Sequence, residues 1–188
     1  MNEGCRCEND QPLVLPGYHS LITRFRKNGS ECGVGLFVKD NQNSKIPDDL
    51  SVFIPHVFES LFIEIVSSSK SSIVGVIYRP NTAPKTDVDI FSSTLQDILD
   101  IINNEHKHGV IIGDMNVDLL KFGYHPKTDE YLDSIFSHGF LLVITKPTKP
   151  SSSALIDHIH TNNKSSLADP GVIVTGVADN IFYAQNFN

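Results

Sequence analysis

The hydrophobic period of this chain changes twice between Phe58 and Gly113, and that change constrains the fold more than any single residue. From Phe58 to Val66 the faces alternate, with Phe58, Ser60, Phe62, Glu64 and Val66 on one and Glu59, Leu61, Ile63 and Ile65 on the other. That is the period of a strand. The tract Ser67 to Ser72 turns the chain, and Ile73 to Tyr78 returns as a buried apolar strand. From Asp87 to Asn104 the spacing becomes helical, with Phe91, Leu95, Ile98, Leu99 and Ile102 on one stripe. Val110-Ile111-Ile112 is then continuously apolar and stops at Gly113. A chain that reads strand, strand, helix, buried strand is an α/β protein.

The flanks extend the pattern. Tyr18 to Lys27, the turn signal Asn28-Gly29 and the run Gly33 to Val38 predict a hairpin, followed by a polar loop from Asp40 to Asp49. Thr128 is placed to cap a helix carrying Leu132, Ile135 and Phe136, with Gly139 as its stop. Phe140 to Ile144, Leu155 to His160 and Val172 to Thr175 read as three further strands. With no internal repeat and no interdomain linker, 188 residues suit one domain. The expectation is two mostly antiparallel sheets packed face to face, with helices outside.

Charge narrows the function classes. Fifteen Lys and Arg against 22 Asp and Glu give a net charge of −7, which excludes a small basic module held on DNA by counterion release. An enzyme whose acidic pocket holds a divalent cation against a phosphate is compatible with that balance. Cys5, Cys7 and Cys32 are too few and odd in number for a disulfide framework and point to a reducing, intracellular setting. No run is long enough to span a bilayer, and Met1 to Pro12 lacks the apolar core of a secretory signal.

Four segments can carry chemistry. Gly113-Asp114-Met115-Asn116 ends a buried strand, and its carboxylate and amide at a spacing of two suit Mg²⁺ or the orientation of a water on a phosphate. An Asx turn after a core strand has the same composition. In Leu155 to His160, Leu155, Asp157 and Ile159 share one face and Ile156, His158 and His160 the other. An acid among aliphatics is costly unless paired, either in a functional site or in an ion pair at the sheet edge. The two histidines lack a third ligand at fixed spacing, which argues against zinc. Tyr78-Arg79-Pro80-Asn81 leaves a strand with three groups suited to phosphate oxygens, or simply exits the strand at a proline stop. Ala178-Asp179-Asn180 adds one more acid after an apolar strand.

In this order the segments resemble the endonuclease/exonuclease/phosphatase superfamily, the fold of deoxyribonuclease I, and within it most of all the endonuclease domain of non-LTR (LINE-type) retrotransposons. The resemblance runs from about Pro12 to Asn180. It is carried by Leu15-Pro16-Gly17-Tyr18, Cys32 to Lys39, Phe58 to Ile65, Tyr78 to Asn81, Gly113 to Asn116, Ser153 to Ile159 and Pro170 to Ile173. It implies a four-layered α/β sandwich over residues 12–188, after an irregular segment 1–11, that hydrolyses DNA phosphodiesters with Mg²⁺, Mn²⁺ being an alternative ion. By the same resemblance Asp114 orients or deprotonates the attacking water, and Asn116 binds the scissile phosphate. Tyr78 and Asn81 contact that phosphate, Asp157 orients the active-site histidine, and Asp179 is a metal ligand.

Two departures from the family pattern shape the expectation. Asn180 stands where the family's catalytic histidine lies, and an amide cannot carry a proton near neutral pH. The family's first strand and helix are expected to be missing. Glu3 stands at about the family glutamate's distance from Pro16-Gly17-Tyr18 and is the second candidate metal ligand, with Gly4 where the family has threonine. The reading is therefore an impaired Mg²⁺-dependent DNA endonuclease, nuclear if functional. A non-catalytic retrotransposon remnant with at most weak metal or nucleic-acid binding is the alternative.

Overall fold

The computed structural model describes residues 13–24, 33–81, 85–166, 171–173 and 182–184. The chain opens with β1 (Ile22–Arg24) and β2 (Val34–Leu36), paired antiparallel with Ile22 opposite Leu36. The expected hairpin is therefore present, while its Asn28-Gly29 turn lies outside the described residues. β3 (Ser44–Lys45) and β4 (Phe53–Ile54) each pair with β5 (Phe58–Ile65). The segment expected to be a polar loop thus contains an edge strand, because two residues are enough to extend a ladder and too few to show a period. β6 (Ser72–Tyr78) returns antiparallel to β5 through the serine turn.

The helical stripe forms α1 (Lys85–Asn104), whose Phe91, Leu95, Ile98, Leu99 and Ile102 are all buried. β7 (His108–Asp114) then lies parallel to β6. A parallel neighbour needs a crossover, and α1 is that crossover. α2 (Pro126–Ser137) starts two residues before Thr128, the expected cap. Pro126 occupies its first turn, and Thr128 sits inside the helix with Oγ1 donating to Asp118 O at 3.4 Å. Phe136, expected on the buried stripe, is exposed, whereas Tyr131, Leu132 and Ile135 are buried. Gly139 follows at φ +76°, as a helix stop requires.

The short β8 (Leu141–Leu142) borders β9 (Asp157–Thr161), which runs antiparallel to β7. The remaining β10 (Gly171–Ile173) and β11 (Phe182–Ala184) form their own antiparallel pair. The central sheet is therefore mixed, in the order β3-β5-β6-β7-β9-β8 with β4 also on β5.

Cross-strand register sorts the two faces of this sheet. Ser60 opposite Ile77 and Phe62 opposite Gly75 lie towards the helices, as do Ile111 opposite His160 and Gly113 opposite His158. The main core fills the space between that face and α1 and α2. Gly75 is required there: a β-carbon on it would stand 2.1 Å from the Phe62 ring. Leu61 and Ile63 are buried on the opposite face, where the β1–β2 ribbon lies against β5 and β6. The architecture is the expected α/β sandwich. Among the described residues no helix is long and apolar enough to cross a membrane.

Candidate active site

Register alone draws one row of polar side chains across the sheet. Glu59 of β5 is opposite Tyr78 of β6, Tyr78 is beside Asp114 of β7, and Asp114 is opposite Asp157 of β9. The row lies at one end of the strands, on the face away from the helices, because neighbouring His158 points to α2. Glu59 is only 2% exposed. It escaped the sequence reading, although an acid between apolar neighbours in a buried strand is the same signal that singled out Asp157.

Asp114 and Asp157 are coupled electrostatically. Burial and the neighbouring Asp157 charge push the Asp114 carboxyl up to about 6, against weaker opposing pulls from the Asn116 amide, Lys149 and Arg79. Gly113 allows β7 to run this close. It adopts φ +154°, and a β-carbon there would meet the Ile77 carbonyl oxygen at 1.8 Å.

The two loops at the strand ends hold each other. Arg79 was one of three loop groups suited to phosphate oxygens, or simply part of a strand exit. Instead it is 7% exposed and committed to the backbone. Its Nε donates to Met115 O at 2.6 Å and its Nη2 to Asn116 O at 2.7 Å, while the guanidinium stands 5.5 Å from the Phe91 ring centroid. The Arg79 main chain completes the clasp: its N–H donates to Asp114 O, and its carbonyl accepts from Asn116 Nδ2 at 2.6 Å. The physical reason is local. A fork of donors is worth more on two otherwise unpaired loop carbonyls than in water. Asn116 itself sits in the left-handed region at φ +48°, and its N–H donates to Asp114 Oδ1 at 3.1 Å. Asp114 and Asn116 are thus joined by an Asx turn, the second of the two compositions the sequence allowed.

Behind the row, Tyr131 of α2 bridges the two histidines. Its Oη is 3.0 Å from His158 Nδ1 and 2.8 Å from His160 Nε2. His158 Nε2 is 2.9 Å from Val117 O, which accepts a proton only if Nε2 carries it. That fixes the chain of donors: His160 Nε2–H to Tyr131, Tyr131 O–H to His158 Nδ1, and His158 Nε2–H to Val117 O. Both rings are neutral, since burial pushes His158 down to about 4 and His160 well below its ordinary value. They brace the loop after Asn116. Asp118 ties the same loop to β9, its Oδ1 accepting from Leu155 N–H at 3.0 Å. Thr148 Oγ1 accepts from the N–H groups of Ile156 and Asp157.

A cavity of about 680 Å³ opens beside the loops on the helix side, with Asn81, Asn116, Lys121, His125 and Lys149 in its wall. The structure thus brings Tyr78, Asp114 and Asp157 into one row, and places Asn81 and Asn116 on the adjoining cavity. Glu3, Asp179 and Asn180 lie outside the described residues. Among the described residues no group of three or more acids, histidines or cysteines is arranged to hold a metal ion. Two like-charged carboxylates side by side are nonetheless oxygen donors of the class Mg²⁺ takes, and a dication would relieve their repulsion.

No protein-family model and no curated protein matches the chain. Solved structures do. The endonuclease domain of TRAS1, a telomere-specific non-LTR retrotransposon, aligns over 89% of this chain and 76% of its own, at TM-score 0.63 and 10% identity. The chain has the fold of the endonuclease/exonuclease/phosphatase superfamily. The Neisseria 3′ phosphatase NExo, solved with a product DNA hairpin, aligns over 92% of this chain and 80% of its own, at TM-score 0.60 and 16% identity. A mannosyl-6-phosphatase from Bacteroides thetaiotaomicron aligns over 89% and 75%, at TM-score 0.53 and 14% identity. Identities this low establish the fold alone. The names of these three proteins span nucleic-acid and sugar phosphates, so the fold does not choose the substrate.

Proposed function

We propose that this chain is a Mg²⁺-dependent phosphodiesterase acting on DNA, of the retrotransposon endonuclease type, with its rate impaired by Asn180. The observation that carries the reading is the carboxylate pair Asp114 and Asp157, held at the end of two paired strands beside Tyr78. Asp114, Asp157 and the sequence candidates Glu3 and Asp179 would hold the ion. When bound, Mg²⁺ would polarise a phosphoryl oxygen and lower the pKa of a water.

The chain's own residues do the rest. Asp114 is the carboxylate placed to accept a proton from the attacking water. Its Oδ1 is engaged by the Asn116 N–H, so a proton from the attacking water would be held at Oδ2. The Asn81 carboxamide, the second N–H of Asn116 Nδ2 and the Tyr78 hydroxyl are of the donor class that phosphate oxygens accept from. In this reading Asp157 orients the group at position 180.

Nicking of supercoiled DNA tests it. The unaltered chain should be near background with Mg²⁺, and Asn180→His should raise the rate by roughly 10²–10⁴. Asp157→Asn in the restored chain should cancel most of that gain. A folded Asn180→His protein that nicks nothing with either Mg²⁺ or Mn²⁺ would remove the nuclease reading and favour the non-catalytic remnant. Brisk nicking by the unaltered chain, abolished by Asp114→Ala, would remove the impairment.

A further inference from the structure

We propose that Lys149 is the phosphate-binding cation of this site, holding a backbone phosphate of the DNA strand at the ends of β7 and β9. This deepens the DNA reading above and rests on it.

The main chain sets Lys149 beside the carboxylate row. Its N–H donates to Ala154 O at 3.0 Å, and its carbonyl accepts from Ser152 N–H and Ala154 N–H, both at 3.3 Å. The preceding residue, Thr148, is fully buried, and its Oγ1 accepts from Asp157 N–H at 3.1 Å. Asp157 is in turn the cross-strand partner of Asp114. Lys149 therefore leaves a loop fastened to the end of β9 that carries the acid. Its half-buried side chain shares a wall with Arg79, Asn81 and Asn116, on the loops that follow Tyr78 and Asp114. The Asp114 carboxyl feels its charge directly.

The arginine and the other lysines of that wall are spent. The Arg79 guanidinium donates to Met115 O and Asn116 O. Lys127 pairs with Asp89 at 2.7 Å and Glu130 at 2.8 Å. Lys121 stands 3.7 Å from Asp118. Asp118 also lines the wall, and its Oδ1 is occupied by the N–H groups of Leu155 and Leu120. Among the described residues Lys149 has no ion-pair partner, so of these four cations its ammonium is the one open to an external anion. The anion that the proposed reaction brings to this end of the strands is a phosphodiester. An ammonium binds phosphate as a point charge and needs no fork of donors. Such a charge counts for more here, because Asn180 carries none.

The test is the salt dependence of duplex binding, followed by fluorescence polarisation in metal-free buffer so that no dication competes with the counterions. Each phosphate neutralised by a lysine adds about 0.9 to the steepness of log K against log salt. Lys149→Gln should bind more weakly and lower that steepness by about 0.9. Between about 50 and 200 mM salt, the wild type should then lose about 3.5-fold more affinity than Lys149→Gln. Lys149→Arg should keep the wild-type slope. Lys164→Gln removes an equal charge from an exposed position past the far end of β9 and should keep it as well. Unchanged melting would verify folding of each variant. An unchanged slope in Lys149→Gln overturns the proposal, as does an equal fall in Lys164→Gln or a fall in Lys149→Arg. Each of these results leaves the nicking assay to judge the phosphodiesterase separately. A protein that binds no duplex overturns the proposal too, and the nuclease reading falls only if Asn180→His is also inert.

Discussion

Asp114 is stabilised as an acid and useful as a base, and the two demands oppose each other. A carboxyl whose folded pKa is about 6 favours the protonated native state. Its contribution is fully present below about pH 4 and is lost as pH rises through about 6. At neutral pH the ionised group therefore costs the fold on the order of 2 kcal/mol after allowance for partial exposure. Asp114→Asn should be the more stable protein at about pH 8, with the advantage vanishing near pH 4, as thermal melts in chelator would show. Added Mg²⁺ should raise the melting temperature of the wild type and not of this variant. Arg79 belongs to the same scale. Arg79→Lys keeps the charge but cannot donate to Met115 O and Asn116 O in parallel. It should leave a folded protein about 1–3 kcal/mol less stable and lower Asn180→His-restored nicking roughly 10²-fold. An unchanged rate would show that Asn116 needs no such brace. The sequence could mark Arg79 as a polar residue near the site, but its burial depends on two carbonyls from a loop far away in the chain.

At the scale of elements, the site depends on how closely strands approach. Gly75 lets the Phe62 ring lie flat across β6, so Gly75→Ala drives a methyl into the ring. The expected cost is about 1–3 kcal/mol in urea unfolding, largely recovered by adding Phe62→Leu, which vacates the space. Failure of that second change to rescue would locate the strain in the backbone. β5, β6, α1 and β7 were all legible, because their periods persist for several residues. β3 and the true start of α2 were not. A two-residue strand has no period, and Pro126 started the helix without the side-chain cap that sequence reading relies on. The faces of β9 were legible too, and Asp157 fell opposite the histidines as alternation requires. What alternation could not show was that Asp157 would meet Asp114, since register between distant strands is written in neither.

For the whole molecule, the buried histidines set the response to acid. His158, pushed down to about 4, and His160, pushed well below its ordinary value by burial, are neutral in the fold. In the unfolded chain they take up protons near pH 6.5. A base with a depressed folded pKa contributes fully above its unfolded value and loses that contribution as pH falls towards the folded one. Urea midpoints should therefore drop between about pH 6.5 and 4, and drop less in His160→Gln, whose amide can still donate to Tyr131. An equal drop in both would place the acid sensitivity elsewhere. The order of motifs along the chain made the sandwich readable before any coordinates, because the superfamily fold is a fixed succession of strands. The cavity was not readable, since it arises where loops from three separate connections, β6–α1, β7–α2 and β8–β9, meet.

The polar row across β5, β6, β7 and β9 also has a kinetic side. Glu59 and Tyr78 come from strands joined by a short turn, but long connections separate β6 from β7 and β7 from β9, the first of them containing α1. Non-local pairing of this kind is slow. During synthesis the residues Glu59, Tyr78 and Asp114 leave the ribosome before β9 does. The nascent chain therefore carries half of its carboxylate pair until β9 has joined the sheet beside β7.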